Sequence, residues 1–295
     1  MKVRAEHGHV TVFDPLTGHR VSFGPVPTRL RAPELLDVKL TDRCSVGCSF
    51  CYQDSRPDRD HARLDDVAFI AQQAGQAGVF EVALGGGEVS EFPPFLEVLR
   101  LFRQAGVVPN FTTRRPAWVA ERWSDLRDLA GGFAVSVATA QEVEEVARLF
   151  PQGTRREGQV NLHLVMGTLS RPVTLDLIRR AGHHRLRVTL LGFKAVGRGA
   201  GYTARPHDWW VEDLPRYVQH AAVSIDTALA AQHESEMARL LQPGTYHVEE
   251  GRFSAYVDAV QMTLAPSSYH GGPVFLFDHA WLSAFASPGF VRSGA

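Results

Sequence analysis

The chain is predicted to be an α/β protein built on a partial (β/α)6 barrel, with an N-terminal β-hairpin and a small α+β C-terminal extension. Three observations predict it. Between residues 35 and 191, six apolar strand patterns alternate with five helical ones, the signature of parallel strands joined by helical crossovers. The alternation stops short of the eight repeats of a closed barrel. All three cysteines fall in one run, Cys44-Ser-Val-Gly-Cys48-Ser-Phe-Cys51, on the loop after the first strand. Chemistry in such barrels collects on loops at the carboxyl ends of strands.

The amino terminus reads as a hairpin: His9–Phe13 alternates, Asp14–Gly18 supplies turn residues and Arg20–Phe23 returns. A Pro-rich connector, Pro25 to Pro33, leads into the first barrel strand, Leu35–Leu40. Helix Asp65–Ala77 then precedes strand Phe80–Leu84, and helix Pro94–Ala105 precedes Val107–Thr112. Helix Ala117–Leu129 precedes Phe133–Ala138, Gln141–Phe150 precedes Gln159–Met166, and Thr174–Gly182 precedes Leu186–Leu191. Gly192–Gly201 reads as a flexible tether. Beyond it, Leu214–Leu241 reads as one long helix, and Tyr246–Val248 with Arg252–Leu264 as a hairpin. Three units are therefore expected: hairpin and connector (1–34), barrel (35–201) and extension (202–295).

A chain of 295 residues can bury a substantial core. Its 44% hydrophobic and 21% charged residues are ordinary for a globular enzyme. A formal net charge of −1 offers no bulk attraction to nucleic acid or an anionic membrane, so neither partner is expected. There is no long apolar run and no signal-like start. Clustered cysteines cannot form a disulfide framework, which points to a reducing cytoplasm.

By themselves the cysteines leave two readings open. A zinc site needs a fourth ligand, such as a distant histidine. Alternatively, three thiolates at C-x₃-C-x₂-C hold three corners of a cubic iron–sulfur cluster and leave one iron for an outside ligand. Phe50 and Tyr52 flank Cys51 with aromatic surface. The second strand ends in Leu84-Gly85-Gly86-Gly87-Glu88, where adjacent glycines admit close backbone approach and Glu88 can receive an ammonium group. As an isolated motif this would be a tight turn. Its place on the next βα loop makes it informative.

These residues resemble the radical SAM superfamily. Cys44-x₃-Cys48-x-Phe50-Cys51 is similar to that family's cluster motif and Gly85-Gly86-Gly87-Glu88 to its second-strand motif, the likeness covering roughly residues 35–200. The resemblance implies one [4Fe–4S] cluster on Cys44, Cys48 and Cys51, with S-adenosylmethionine (SAM) chelating the open iron. One electron then cleaves the sulfonium to methionine and a 5′-deoxyadenosyl radical that abstracts a substrate hydrogen. It implies an electron donor such as flavodoxin or ferredoxin. It also places Ser136 at a ribose or carboxylate contact and Lys194 and Arg198 near SAM. Thr112 and Thr113 fall where relatives carry Thr-Thr-Asn, with Arg114 replacing the Asn. Asn161 and His163 alternate on strand five and are expected to face the interior.

The segment from Glu249 to Asp258 and from Ala265 to Tyr269 resembles SPASM-type extensions, which place auxiliary-cluster cysteines near Glu250 and Ser267. This chain has none there, so the scaffold is expected without the metal. No spare thiol exists to return a hydrogen atom. Tyr202, Tyr246, Tyr256 and Tyr269 are the substitutes, and Asp226, Asp258 and His270 are candidate substrate contacts. A peptide or peptide-like natural-product precursor is the expected substrate. The alternatives are redox-neutral rearrangement or epimerisation of a sugar or amino-acid unit, and a non-catalytic iron–sulfur or zinc protein.

Overall fold

The computed structural model describes residues 1–242, 246–269 and 271–293. In chain order the elements are β1 (Lys2–Glu6), β2 (His9–Phe13), β3 (Arg20–Phe23), β4 (Leu35–Thr41), α1 (Leu64–Ala77), β5 (Glu81–Gly86), α2 (Phe95–Gln104) and β6 (Val108–Thr113). Then come α3 (Pro116–Glu121), α4 (Trp123–Leu129), β7 (Phe133–Ser136), α5 (Ala140–Leu149), β8 (Val160–Val165), α6 (Arg171–His183) and β9 (Arg187–Leu191). The remainder is α7 (Trp209–Tyr217), β10 (Val223–Ile225), α8 (Thr227–Gln232), α9 (Glu234–Leu240), β11 (Glu249–Glu250), β12 (Ser254–Asp258), β13 (Thr263–Ala265), β14 (Phe275–Leu276), α10 (Trp281–Phe285) and β15 (Arg292–Ser293).

The six expected barrel strands, β4 to β9, lie side by side in chain order and are parallel. Their helices form because apolar residues recur on one face: Val67, Ile70, Ala71 and Ala74 of α1 are buried, as are Phe95, Val98, Leu99 and Phe102 of α2. Gly78, at φ 75°, ends α1 in the left-handed conformation that glycine adopts without penalty. A Thr139–Glu142 capping box starts α5. On β4, Leu36, Val38 and Leu40 enter the core.

The sheet extends beyond the six strands at both edges. Parallel β10 joins β9, parallel β12 joins β4, and antiparallel β13 and β14 follow β12. Among the described residues the ends do not meet, so the barrel is partial. Both added parallel strands come from the segment expected to be a separate extension.

Several local expectations need correction. The N-terminal hairpin is a three-stranded meander, β1-β2-β3; β1 is mostly polar and carries little apolar signal. The meander caps the amino ends of β5 and β6, with Phe13 stacked on Phe80 at 5.2 Å and both packed with Val108. Helix 117–129 breaks at Arg122. In an unbroken helix Trp118 and Trp123 would lie about 140° apart, but Trp118 packs on Phe95 and Trp123 on Phe133 and Phe150. The stretch 214–241 is three helices and a strand: Val223–Ile225 pairs with β9, and Asp226 then caps α8 through Leu229 N. The C-terminal hairpin joins β12 to β13, while β11 pairs with β15.

The glycine-rich stretch 192–201 is a clamp. The Arg198 amide donates to the Cys51 carbonyl at 3.0 Å. A Cβ on Gly197 would sit 2.4 Å from the Tyr52 carbonyl oxygen, and one on Gly199 2.4 Å from that of Lys194. These glycines permit backbone contact where flexibility was expected.

Candidate active site

The cysteine loop leaves β4 and is pinned by its own backbone. The Cys44 amide donates to the Arg56 carbonyl, Arg56 N to Asp42 O, and Cys51 N to Cys48 O. Gly47 turns the chain at φ 75°. Glu91 accepts from the Ser45 amide and hydroxyl at 3.0 and 2.7 Å and pairs with Arg115 at 2.8 Å. From the other side, Arg198 donates to the Cys48 carbonyl at 3.0 Å and pairs with Asp54 at 3.2 Å. Arg198 is thus a strut for the cysteine loop, outside the cavity lining. Burial pushes the Cys44 thiol above its ordinary pKa, against the Val46 and Gly47 amides, which favour the thiolate.

The glycine loop is zipped to the same segment. Gly87 N donates to Thr41 O at 2.6 Å and Glu88 N to Arg43 O at 2.9 Å. A Cβ on Gly87 would lie 1.9 Å from the Arg43 oxygen. Gly86, at φ 118°, would place one 2.4 Å from the Thr41 oxygen, whereas Gly85 has nothing within 4 Å. Glu88 is 1% exposed. Its carboxylate accepts from Thr113 Oγ1 at 2.5 Å, Arg114 N at 2.9 Å and Ser90 N at 3.2 Å. The side chain therefore ties β5 to the end of β6. Glu88→Gln replaces one accepting oxygen with an NH2 donor that faces a fixed backbone N–H, of Arg114 or Ser90, and is expected to lower unfolding stability by about 1–3 kcal/mol. Urea denaturation reads this, and unchanged stability would show that the carboxylate is not a structural tie.

Both loops open onto a cavity of about 680 Å³, within the range of small-molecule sites. Its lining includes Cys48, Phe50, Cys51, Tyr52, the glycine loop, Thr112, Thr113, Ser136, His163 and Lys194. Phe50 meets Tyr202 edge to face at 5.7 Å. Arg114, replacing the expected Asn, donates to the Ser136 carbonyl and pairs with Glu142 at 2.9 Å, which ties the ends of β6 and β7 to α5. Burial and Lys194 push His163 down to about 4, leaving a neutral imidazole at neutral pH. Asn161 lies one layer deeper and donates to Thr189 Oγ1 at 2.7 Å.

Lys194 holds its ammonium 4.5 Å from the Tyr52 ring centroid and 4.4 Å from that of Tyr269, a cation–π cradle. Against burial, which lowers it, Tyr52 and then Asp226, Asp37 and Glu250 favour its charged form and hold its pKa above the usual value. Two of these carboxylates escaped the sequence reading. Asp37, on β4, is pushed up to about 6 by burial, with Lys194 opposing. Asp37 is exposed within the cavity, and the protein crowded around that lumen is what raises its pKa. Glu250, pushed up to about 6 by burial, accepts from Tyr269 Oη at 2.8 Å. A charge in the middle of Leu35-Leu-Asp-Val-Lys-Leu40 was the available signal for Asp37.

Of the remaining candidates, Tyr256, Tyr269 and Asp226 line the cavity, while Asp258 is paired with Lys39 at 2.5 Å. Tyr202 stacks toward Phe193, Tyr246 packs against the core, and His270 lies outside the described residues. Glu250 and Ser267, the positions where SPASM-type relatives place cysteines, both line the cavity.

The three thiols are free and share one short loop, a donor set that fits three corners of a cluster. Among the described residues, no three His, Cys, Asp or Glu side chains converge to hold a single metal ion. No helix among them is long and apolar enough to cross a membrane.

The sequence model of the radical SAM superfamily matches residues 38–192. A PqqA peptide cyclase of Methylorubrum populi is 26% identical over 190 residues, covering 57% of this chain and 50% of that protein. Another from Gluconobacter oxydans is 31% identical over 83 residues, 28% of this chain and 23% of that one. The chain thus spans half or less of the length of these curated relatives. Among solved structures, Streptococcus suis SuiB bound to precursor peptide SuiA matches with a TM-score of 0.67 at 14% identity, covering 89% of this chain and 66% of that one. The anSMEcpe structure with bound AdoMet matches at 0.57 and 12% identity, covering 86% and 82%. At these identities the likeness is one of fold.

Proposed function

The chain belongs to the radical SAM superfamily, and from that membership we propose that it is an enzyme that cleaves S-adenosylmethionine reductively and modifies a peptide or peptide-like precursor. The observation that carries the reading is the joining of two loops: the cysteine loop and Gly85–Glu88 are hydrogen-bonded to each other and open on one cavity. A structural metal site has no use for the second loop.

Cys44, Cys48 and Cys51 would hold the [4Fe–4S] cluster. Held there, the cluster would supply the one-electron reduction of SAM from which hydrogen abstraction from the substrate follows. The protein's own work is positioning and exclusion of water. Phe50, Tyr52 and the glycine loop would bind the cofactor, with Ser136 and Lys194 as further contacts. Arg198 would act through the cysteine loop, which its guanidinium braces. The peptide substrate is supported by relatives named for peptide cyclisation and by the peptide-bound SuiB structure. An electron donor such as flavodoxin or ferredoxin and a cytoplasmic location complete the proposal.

The test uses anaerobically reconstituted protein with dithionite, SAM and uniformly deuterated candidate precursor peptides. Deuterium is expected in the released 5′-deoxyadenosine, together with a mass change in the peptide. Unlabelled 5′-deoxyadenosine with unaltered peptide would sink the peptide reading.

A further inference from the structure

Most charges lining the cavity are compensated within the protein. Lys39 is paired with Asp42 at 2.8 Å and Asp258 at 2.5 Å, Arg114 with Glu142, and Arg20 with Glu34 at 2.7 Å. Glu88 is held by its three donors. What remains is Lys194 facing Asp37, Asp226 and Glu250. No carboxylate among the described residues comes within the 4.0 Å ion-pair distance of the Lys194 ammonium, which is held by two aromatic rings. Asp226 spends one oxygen on Gly192 N and Leu229 N. Glu250 is 9% exposed and accepts one hydrogen bond, from Tyr269. Asp37 accepts none from a described side chain or amide.

A carboxylate pair can accept far more hydrogen bonds than these: Asp37 is exposed to the cavity, and a buried carboxylate such as Glu250 is costly without a counter-ion. With one ammonium for three carboxylates, the site has room for a further cation. A bare metal ion is a poor candidate, because no three of these side chains converge on a point. An organic cation spreads its donors over several angstroms and also gains from the faces of Tyr52 and Tyr269, which already accept an ammonium.

We propose that Asp37 and Glu250, with Asp226, form a substrate-selecting subsite for an ammonium or guanidinium group on a lysine or arginine side chain of the substrate. The proposal deepens the peptide-modifying reading and rests on it. Asp37 and Glu250 are held near 6, so both are ionised at about pH 8, where the test is run.

The probes are acetylated, amidated nonapeptides of Gly and Ser with one central Lys, Arg, norleucine or Glu, titrated calorimetrically into the SAM-loaded holoenzyme. The Lys and Arg peptides are expected to bind about tenfold or more tighter than the norleucine peptide, the scale of a charge-assisted contact. Asp37→Asn and Glu250→Gln should each cut that preference to about threefold or less, and Asp37→Glu should retain part of it. Circular dichroism confirms that each variant is folded. Equal binding of the norleucine or Glu peptide, no binding of a cationic peptide, or a preference that survives both neutralisations overturns the proposal. So does a tenfold loss of SAM affinity in Asp37→Asn with peptide preference intact, which would assign the carboxylate to the cofactor. Lysinamide and agmatine are run alongside. If they bind as tightly as the Lys peptide and lose affinity in the variants, the cation subsite stands and the peptide reading fails.

Discussion

Alanine at any one of Cys44, Cys48 and Cys51 is expected to abolish release of 5′-deoxyadenosine above background. The reconstituted wild-type protein should carry about four irons per chain and a broad absorbance near roughly 400 nm, as one [4Fe–4S] cluster does. With two thiolates left, no other cysteine within these 295 residues can take the vacant corner. The loop itself should survive, because Cys44 N–Arg56 O, Cys51 N–Cys48 O and the Arg198 contacts do not involve sulfur. Loss of activity with retained circular dichroism is therefore the expected pattern. Iron analysis and product chromatography read it together. A variant that keeps full 5′-deoxyadenosine output would remove the cluster mechanism, and one zinc with no iron would restore the structural-metal reading.

Gly87→Ala and Gly85→Ala should behave in opposite ways although the residues are two apart. A methyl on Gly87 would lie 1.9 Å from the Arg43 carbonyl oxygen. Relief requires moving backbone that carries Gly87 N–Thr41 O and Glu88 N–Arg43 O. Overpacking and two weakened hydrogen bonds together cost about 3 kcal/mol or more, and the cysteine loop loses its neighbour. Gly86→Ala meets the Thr41 oxygen at 2.4 Å and is also strained at φ 118°, for a comparable loss. At Gly85 the added methyl meets no atom within 4 Å. Its stability should stay within about 0.5 kcal/mol of wild type, while the methyl narrows the cavity and weakens SAM binding. Urea unfolding and equilibrium SAM binding on all three variants separate the effects. Equal stability of Gly87→Ala and Gly85→Ala would show that the two loops are not locked together.

The barrel strands were legible because each has enough length for its period to show, and the cysteine and glycine motifs are contiguous. Val223–Ile225 was not, since three residues have no period and the flanking pattern is helical. Gly192–Gly201 misled for a different reason. Glycine signals freedom when read alone, but here its missing side chain lets Arg198 N reach the Cys51 carbonyl. Glu88 was legible as a candidate site carboxylate but not as the tie to Thr113 and Arg114, because the partners lie at the end of the next strand.

Read without coordinates, the chain already settled its strand order, the site of its thiols and the presence of a glycine loop beside them, because periodicity and short spacing are properties of adjacent residues. Tertiary structure alone decided which strands extend the sheet at its edges. It also decided that Asp37, Lys194, Asp226 and Glu250 share one cavity. Those four come from the first barrel strand, the loop after β9, the cap of α8 and a strand near the carboxyl terminus. Their meeting depends on sheet register and on the strands added at the two sheet edges, which bring distant segments together and leave no trace in local pattern.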